Sequence, residues 1–301
     1  METLLIALVF SPLLPGIIAR TKAVFAGRRG APLLQFYYDI HKSLRKGRVT
    51  SDTVTWIFSA APSVLMLAAV FSSFLAPFGR LKAPVQFTGD MIFLVYLYGL
   101  ARFFMLLAAW DTGSSFEGMG AGREAFFSCL AEITLFADFL ILAKLSKSLS
   151  LSEMIQQSSA LSWRQAGPAL MMVVVSYFAV LLAENSRIPV DDPATHLELT
   201  MIHEVMALDH SGPDLGWIVY AGAMKLFVLG ALLVSILIPF GTGSLFFDRA
   251  LFLAGMAALG VAIGVVESVM ARFRLDRVPS FLVGSFVFAV FGLIITFARG
   301  V

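Results

Sequence analysis

The sequence predicts an all-α polytopic membrane protein with eight transmembrane helices and one amphipathic surface helix. Hydrophobic residues make up 58% of the 301 residues and charged residues only 14%, and the mean hydropathy is +0.86. Soluble domains contain roughly 45–50% apolar and about 25% charged residues. The apolar residues also gather into stretches close to the ~20 residues that cross a bilayer. We therefore interpret residues 1–301 as a single membrane domain.

Eight apolar stretches are candidate spans, and we expect helices because lipid leaves no backbone polar group without an internal partner. They lie at residues 3–19, 53–76, 90–110, 125–145, 168–184, 215–240, 249–271 and 280–298. Pro12, Pro15 and Gly16 interrupt the first stretch and predict a kink there. This stretch has no basic region before it and no cleavage signature, so we expect a retained helix rather than a signal peptide.

The basic residues divide unequally between the two sides of the membrane. With loops taken alternately, thirteen Lys and Arg residues fall on one side and seven on the other, and Arg102 and Lys225 fall within spans. The positive-inside rule makes the richer side cytoplasmic and places both termini outside. The predicted cytoplasmic loops are residues 20–52, 111–124, 185–214 and 272–279.

The first cytoplasmic loop predicts a basic amphipathic helix at the membrane surface. Leu33, Tyr37, Ile40 and Leu44 recur at i, i+4, i+7 and i+11, and Pro32 suits a first helical turn. Such a helix either anchors the chain among lipid head groups or forms an entrance or docking surface, and the pattern leaves both interpretations open.

Five ionisable side chains fall within apolar spans: Arg102, Glu132, Asp138, Lys225 and Glu267. Each would cost ~2.5–3.5 kcal/mol or more if it faced lipid, so we expect them to face a bundle interior or a wet cavity. Glu132 is predicted seven residues into its span. Such groups either form a proton path or pair statically and hold helices together.

The loop after the fifth span is the most polar part of the chain. Its ionisable residues include Glu184, Asp191, Asp192, His196, Glu198, His203 and Glu204. His196 and His203 are seven residues apart, a spacing that permits a metal site as well as polar packing or proton handling. "HEVMALDH" does not match the H-E-x-x-H helix of metalloproteases. The loop as a whole could also be a solvated docking face for a soluble partner.

Other motifs favour structure over chemistry. "GMGAG" at residues 118–122 follows no strand, so it indicates a tight turn or close helix packing rather than a nucleotide site. The single cysteine, Cys129, excludes an intrachain disulfide. No P-loop, nucleophile elbow or cluster-ligand spacing is present. We therefore expect no metal, no redox cofactor and no catalytic residue in this chain.

Four blocks of sequence resemble the complex I subunit 1 family, the H subunit of bacterial enzymes. They are "AENSRIPVDDPATHLEL", "GRRGAPLLQFYYDIHKSLRKG", "GAGREAFFSCLAEITL" and "ARFRLD". "DTGSSFEGMGAGRE" and "VESVMARFRLD" are more similar to the branch of formate hydrogenlyase, hydrogenase-4 and group 4 nickel–iron hydrogenase membrane subunits, which has a glutamate at the place of Glu267. Val190 stands where the family has Phe, and Ala194 and His196 stand where it has Glu.

The resemblance implies roles for matched positions. Glu184, Asp191 and Glu198 match acidic loop residues, and Glu132 matches the glutamate of the third block. The matched basic and docking positions are Arg28, Arg29, Arg123, Arg187, Arg272, Arg274 and Asp276. We add Asp192, His196, His203 and Glu204 from this sequence, together with Arg102, Asp138, Lys225 and Glu267 for coupling.

The resemblance also implies the setting. The partners would be the lipid bilayer of a prokaryotic inner membrane, antiporter-like membrane subunits, and peripheral iron–sulfur and hydrogenase-like large subunits, with no nucleic acid. Iron–sulfur clusters, with or without a nickel–iron centre, would lie in those partners. The preferred hypothesis is a subunit that anchors the redox arm and couples electron transfer to movement of protons or Na⁺. The alternatives are a quinone-site subunit of respiratory complex I and a stand-alone transporter or channel.

Overall fold

A computed structural model describes residues 2–157, 160–192, 201–239 and 244–298. Regular structure in these ranges is helical, apart from an isolated bridge between Phe78 and Leu81. Eight helical segments are long and apolar enough to cross a membrane. The predicted fold class and all eight spans are confirmed.

The helices follow one another in the order of the predicted spans. They are α1 (Glu2–Phe10), α2 (Leu13–Phe25), α3 (Gln35–Leu44), α4 (Trp56–Leu75), α5 (Asp90–Asp111), α6 (Ser115–Ser146), α7 (Leu151–Gln157), α8 (Ala160–Glu184), α9 (Gly212–Leu237), α10 (Leu245–Val269) and α11 (Val278–Ala298). Short 3₁₀ turns cover Glu204–Ala207 and Leu275–Arg277. The first span consists of α1 and α2 together.

The predicted interruption of the first span is confirmed. α1 ends at Phe10 and α2 starts at Leu13, with Pro12 at the cap position. Proline lacks an amide hydrogen and its ring crowds the preceding turn, so the helical hydrogen bonds cannot continue through it. α8 has a similar disturbance, because Ala166 adopts non-helical angles two residues before Pro168.

The helix that contains the fourth predicted span starts ten residues before that span. α6 begins at Ser115 rather than at residue 125, so most of the predicted 111–124 loop is helical. Glu117, Arg123, Glu124 and the glycines of "GMGAG" lower the local hydropathy there without ending the helix. Glu132 is consequently the eighteenth residue of its helix, whereas it is the eighth residue of the predicted span. More than four helical turns therefore precede it.

"GMGAG" supports close packing and not a turn. A Cβ atom on Gly120 would lie 2.0 Å from Val205 Cγ1 and 3.0 Å from the Ile202 carbonyl oxygen. The missing side chain lets the segment 201–207 rest directly on α6. Of the two interpretations of this motif, the structure selects the second.

α9 is the central helix of the bundle. It packs against α3, α4, α8 and α10, and 78% of its most apolar window is buried inside the protein. α6, α8 and α11 pack together beside it, α5 packs on α4, and α2 packs on α10. A helix that is apolar on all sides is typical of such a central position.

The predicted amphipathic helix forms as α3 and rests on α9. Its start is Gln35, so Leu33 precedes the helix, while Ile40 is buried. Gly216 of α9 allows close approach, because a Cβ atom there would lie 3.2 Å from Ser43 Cβ. The Tyr37 hydroxyl donates a hydrogen bond to the Val9 carbonyl of α1. α3 is thus attached to the bundle by its apolar face.

Candidate ion-coupling site

Arg102 lies at the centre of a buried group of ionisable side chains. From α5 it contacts Glu132 and, at 3.5 Å, Glu124, both on α6. Its Nη2 donates to Glu184 at the end of α8 at 2.5 Å. The same Glu184 oxygen accepts from Lys225 Nζ of α9 at 2.6 Å. Four helices therefore bring five charged side chains together, which we call the Arg102 cluster.

Lys225 also stabilises the end of α8. Its Nζ donates to the backbone carbonyl of Glu184 at 2.7 Å as well as to the side chain. The last carbonyls of a helix lack intrahelical partners and carry partial negative charge, so a cation there is favourable. Lys225 lies over the Tyr98 ring, 5.6 Å from its centroid, which adds a cation–π contact.

The charges of the Arg102 cluster do not balance. Glu124, Glu132 and Glu184 face the two cations Arg102 and Lys225. When all are ionised, the cluster has one carboxylate in excess, and uptake of one proton makes it neutral. Unbalanced charge is costly away from water. The arrangement therefore suits the gain and loss of a proton better than a balanced static pair would.

Glu124 is not among the predicted site residues. The predicted span started at residue 125, which placed Glu124 outside the membrane segment. The sequence does contain a spacing that points to it. Glu124 and Glu132 are eight residues apart, and helical residues at i and i+8 share a face. Arg123 points elsewhere and donates to the Met201 carbonyl at 3.0 Å.

Asp191 connects the two described parts of the polar loop, residues 185–192 and 201–214. Its carboxylate accepts backbone N–H bonds from Ile202 and His203, each at 3.2 Å. Arg272 donates to the other oxygen at 2.8 Å. One buried carboxylate thus joins residue 191 to residues 202–203 of the same loop and to Arg272, three residues after the end of α10.

Glu267 forms a second buried ion group near that loop. Its side chain is 0% exposed and meets Lys22 of α2 at 2.9 Å and Arg187 at 3.5 Å. Burial lowers the pKa of Arg187 from its usual range, and the Glu267 and Asp192 carboxylates oppose this shift. Lys22 had been assigned to the first loop, so this pair was not foreseen. Glu267 therefore links α2, α10 and Arg187 of the polar loop, and it is not part of the Arg102 cluster.

Other predicted site residues lie apart from the Arg102 cluster. Asp138 is buried between α6 and α8, where it accepts a hydrogen bond from the Ser176 hydroxyl. Arg274 pairs with Asp276 at 3.3 Å on an exposed surface, and Arg28 and Arg29 are exposed as well. His196 and Glu198, with Ala194, lie outside the described residues.

Two cavities meet beside the Arg102 cluster. The larger one, about 340 Å³, is lined by Phe36 of α3, by Glu184, Asp191 and Glu204, and by one face of α9. The smaller one, about 60 Å³, is lined by Tyr98, Arg102 and Glu124. His203, Ile218, Gly222 and Lys225 line both. The position of Phe36 supports the entrance interpretation of α3.

His203 and His210 have different surroundings. His203 lies between the two cavities, and its Nδ1 atom is buried without a hydrogen-bond partner in the described part of the chain. His210 is stacked on Phe58 with ring centroids 3.9 Å apart. Burial, with a smaller effect of Arg48, lowers the pKa of His210 to about 4. His210 is therefore neutral at physiological pH.

A metal interpretation finds no support among the residues that the structure describes. Within the described ranges, no three or more His, Cys, Asp or Glu side chains are grouped so that they could hold an ion. His203 lies in these ranges and His196 does not. The sequence alternatives of polar packing and proton handling both remain compatible with the position of His203 between the two cavities.

Comparison with known proteins places this arrangement in a family context. The family described as NADH dehydrogenase matches residues 1–298. Formate hydrogenlyase subunit 4 of Escherichia coli (strain K12) is 31% identical over 291 residues, which cover 95% of this chain and 94% of that protein. Hydrogenase-4 component C of the same strain is 30% identical over 275 residues, or 89% and 86% of the two chains.

A solved structure shares the fold. A chain of the membrane-bound sulfane sulfur reductase, an archaeal respiratory membrane complex, superposes with a TM-score of 0.84 at 21% identity. The match covers 97% of this chain and 96% of that one. At this level of identity the likeness concerns the architecture alone.

Proposed function

Because this chain belongs to the NADH dehydrogenase family and is like complex I subunit 1, we propose that it anchors and couples the redox arm of a hydrogenase-related oxidoreductase complex. It is a membrane subunit of a complex-I-like assembly, and its 30–31% identical relatives are subunits of formate hydrogenlyase and hydrogenase-4. The proposed task is to link electron transfer in peripheral subunits to movement of protons or Na⁺ through buried charged residues.

The Arg102 cluster is the observation that carries this proposal. Its five side chains come from α5, α6, α8 and α9, and Glu184 joins Arg102 and Lys225 directly. Ionisable groups within spans are costly and mark ion paths or relays. The excess carboxylate gives the cluster two protonation states that a nearby charge can interconvert.

Coupling would start at the polar loop. Reduction of a cluster in a peripheral subunit adds negative charge, which favours proton uptake by carboxylates beside it. Glu204 and Asp191 line the larger cavity, and His203 lies between that cavity and the smaller one beside Arg102 and Glu124. A proton can therefore pass along ionisable side chains from the loop to the Arg102 cluster.

The exposure of Glu132 supports a membrane partner. Its side chain is 33% exposed although it lies within a membrane-spanning helix. A carboxylate facing lipid at that depth would be costly. A neighbouring antiporter-like membrane subunit with a polar surface would cover Glu132 and receive the ion. Peripheral iron–sulfur and hydrogenase-like large subunits would bind on the opposite, loop-bearing surface.

The setting follows from the same reasoning. We place the complex in a prokaryotic inner membrane with both termini of this chain outside the cytoplasm, as the distribution of basic residues predicts. Arg28, Arg29 and Arg274 are exposed on the cytoplasmic side of that arrangement and can meet acidic surfaces of peripheral subunits. The redox cofactors, iron–sulfur clusters with or without a nickel–iron centre, would belong to those subunits.

The quinone-site alternative is less well supported. The larger cavity is within the ~300–1,000 Å³ range of small-molecule pockets. The named relatives are hydrogenase and formate hydrogenlyase subunits, which favours the hydrogenase branch. In that branch the electrons can end on protons at a partner's metal centre without a quinone in the cavity.

The test is purification of the intact complex through a tag on this chain in mild detergent, followed by metal analysis and mass spectrometry. We expect nickel, several iron atoms and a large hydrogenase-like subunit to co-purify. Iron without nickel would move the assignment to the quinone-linked alternative. A bare 32.7 kDa chain would overturn both assignments and favour a stand-alone transporter.

A further inference from the structure

A second site lies at the end of the bundle opposite the polar loop. α1 and α10 both begin there, and the turn around the Phe78–Leu81 bridge lies between them. These segments enclose a cleft of about 330 Å³. The Arg102 cluster does not contribute to it, so the cleft needs an explanation of its own.

The break at Pro12 accounts for the cleft. Beyond the break, α2 packs closely on α10, whereas α1 packs on α4. The two halves of one span thus follow different neighbours, which leaves space between α1 and α10. Phe78 and Phe252 form part of the wall of this cleft, with stacked rings 5.8 Å apart. Its volume is within the ~300–1,000 Å³ range of small-molecule pockets, so the cleft can hold a ligand.

The cleft is apolar along its length and charged at its mouth. Leu5, Ile6 and Leu253 line its sides. The mouth has two guanidinium groups and two carboxylates, from Arg80, Arg249, Glu2 and Asp248. Arg249 pairs with Glu2 at 2.6 Å, and Arg80 donates to the Pro239 carbonyl at 2.7 Å. Each guanidinium has five N–H donors, so these contacts leave capacity for a further acceptor.

The mouth lies at the first turns of two membrane-spanning helices. Glu2 is the first residue of α1, and Asp248 and Arg249 are in the first turns of α10. Leu245, Phe246 and Phe247, beside the mouth, are 67%, 75% and 63% exposed. Apolar and charged side chains therefore lie side by side at this end of α10, as expected where a spanning helix leaves the hydrocarbon region. An occupant with a charged head at this level and an apolar tail below it fits the cleft.

We propose that the cleft binds one zwitterionic phospholipid with a primary amine, phosphatidylethanolamine. Its phosphate would accept hydrogen bonds from Arg80 and Arg249, since guanidinium groups bind phosphate with paired donors. Its ammonium would meet the carboxylates of Glu2 and Asp248, and an acyl chain would lie along Leu5, Ile6 and Leu253. Two positive and two negative groups at the mouth match a neutral head group with both charges better than an anionic one.

Native mass spectrometry of the complex tests this proposal. The purified complex is exchanged into detergent with equal amounts of phosphatidylethanolamine, phosphatidylglycerol and phosphatidylcholine. We expect one tightly held phosphatidylethanolamine. Arg249→Ala should weaken its retention about tenfold, the effect of losing a charge-assisted hydrogen bond. Arg164→Ala, which removes an exposed arginine on the same predicted side of the membrane, should leave retention unchanged.

A second variant keeps the test decisive if Arg249→Ala impairs assembly. Leu253→Trp fills the apolar part of the cleft without changing the mouth and should also release the lipid. Equal retention of phosphatidylglycerol would overturn the head-group assignment, and no retained lipid in the wild-type complex would overturn the site. A photo-reactive group at Leu5 that links to a protein subunit instead of a lipid would overturn the choice of occupant.

Discussion

At the residue scale, Glu132 is the member of the Arg102 cluster that reaches the outer surface of the bundle. Arg102 keeps Glu124 and Glu184 as partners when Glu132 is altered, so the cluster can stay assembled without it. Glu132 is therefore the position at which a change can separate ion transfer from structure.

Glu132→Gln should abolish ion coupling while the complex still assembles. The amide keeps the shape of the side chain and cannot take up a proton, so we expect transport per electron pair to fall at least about tenfold. Ion uptake by proteoliposomes during turnover measures this loss, with Glu153→Gln, at an exposed residue of α7, as the control. Normal assembly with unchanged coupling would remove Glu132 from the path.

His210 predicts a pH dependence of the segment that follows the polar loop. Its pKa is about 4 in the folded protein because of burial, against a usual value near 6.5. The unfolded segment binds the proton more tightly, so stability is fully present above about pH 6.5 and declines as the pH falls toward 4. Between pH 6.5 and pH 4, the free energy of local opening falls by about 3 kcal/mol.

Hydrogen exchange of residues 203–211 in the complex measures the effect, after correction for the pH dependence of intrinsic exchange. We expect protection to fall from pH 7 to pH 5 in the wild type. His210→Phe can stack on Phe58 and should not show the fall, whereas His41→Gln on α3 should behave like the wild type. A fall that persists in His210→Phe would assign the dependence to another group.

At the element scale, contact between α6 and the segment 201–207 positions the wall of both cavities. Gly120→Ala places a Cβ atom 2.0 Å from Val205 Cγ1, so the segment must move away. Such overpacking typically costs ~1–3 kcal/mol. We expect a lower melting temperature of the complex and faster exchange in residues 201–207.

The neighbouring glycine supplies a control for that change. A Cβ atom on Gly122 has open space around it, and Gly→Ala within an exposed helix is stabilising by up to ~1 kcal/mol. Gly122→Ala should therefore be neutral or slightly stabilising. Val205→Ala combined with Gly120→Ala should restore part of the lost stability. If both glycine variants behave alike, the close contact does not limit stability.

The helices were predictable from sequence because their apolar stretches match the bilayer thickness. The start of α6 was not predictable, because a drop in hydropathy can mean either a loop or a helix that continues with polar residues. Arg102, Glu132 and Lys225 were identified separately as charges within spans, and Glu184 as an acidic residue of the polar loop. Their meeting at one point depends on how α5, α6, α8 and α9 pack, and no local pattern encodes that packing.

At the scale of the whole molecule, the proposed orientation places residues 20–52 in the cytoplasm and the segment between α4 and α5 outside. In a Cys129→Ser background, we expect a membrane-impermeant thiol reagent applied to intact cells to label Lys82→Cys and not Ser51→Cys. Both positions are exposed and lie on opposite predicted sides. Permeabilised cells should show both labelled, and the reverse pattern in intact cells would invert the proposed orientation.

The central place of α9 has a consequence for how the protein is made. α9 is the sixth span to leave the ribosome, yet its neighbours include α3, α4 and α8, which are made before it. Before α9 is inserted, the earlier spans contain the Arg102 guanidinium and the three carboxylates of the Arg102 cluster but no second cation of that cluster. They also lack the helix around which they pack. Lys225 and the core surface enter the membrane together, so completion of the Arg102 cluster and final compaction of the bundle become one event during biosynthesis.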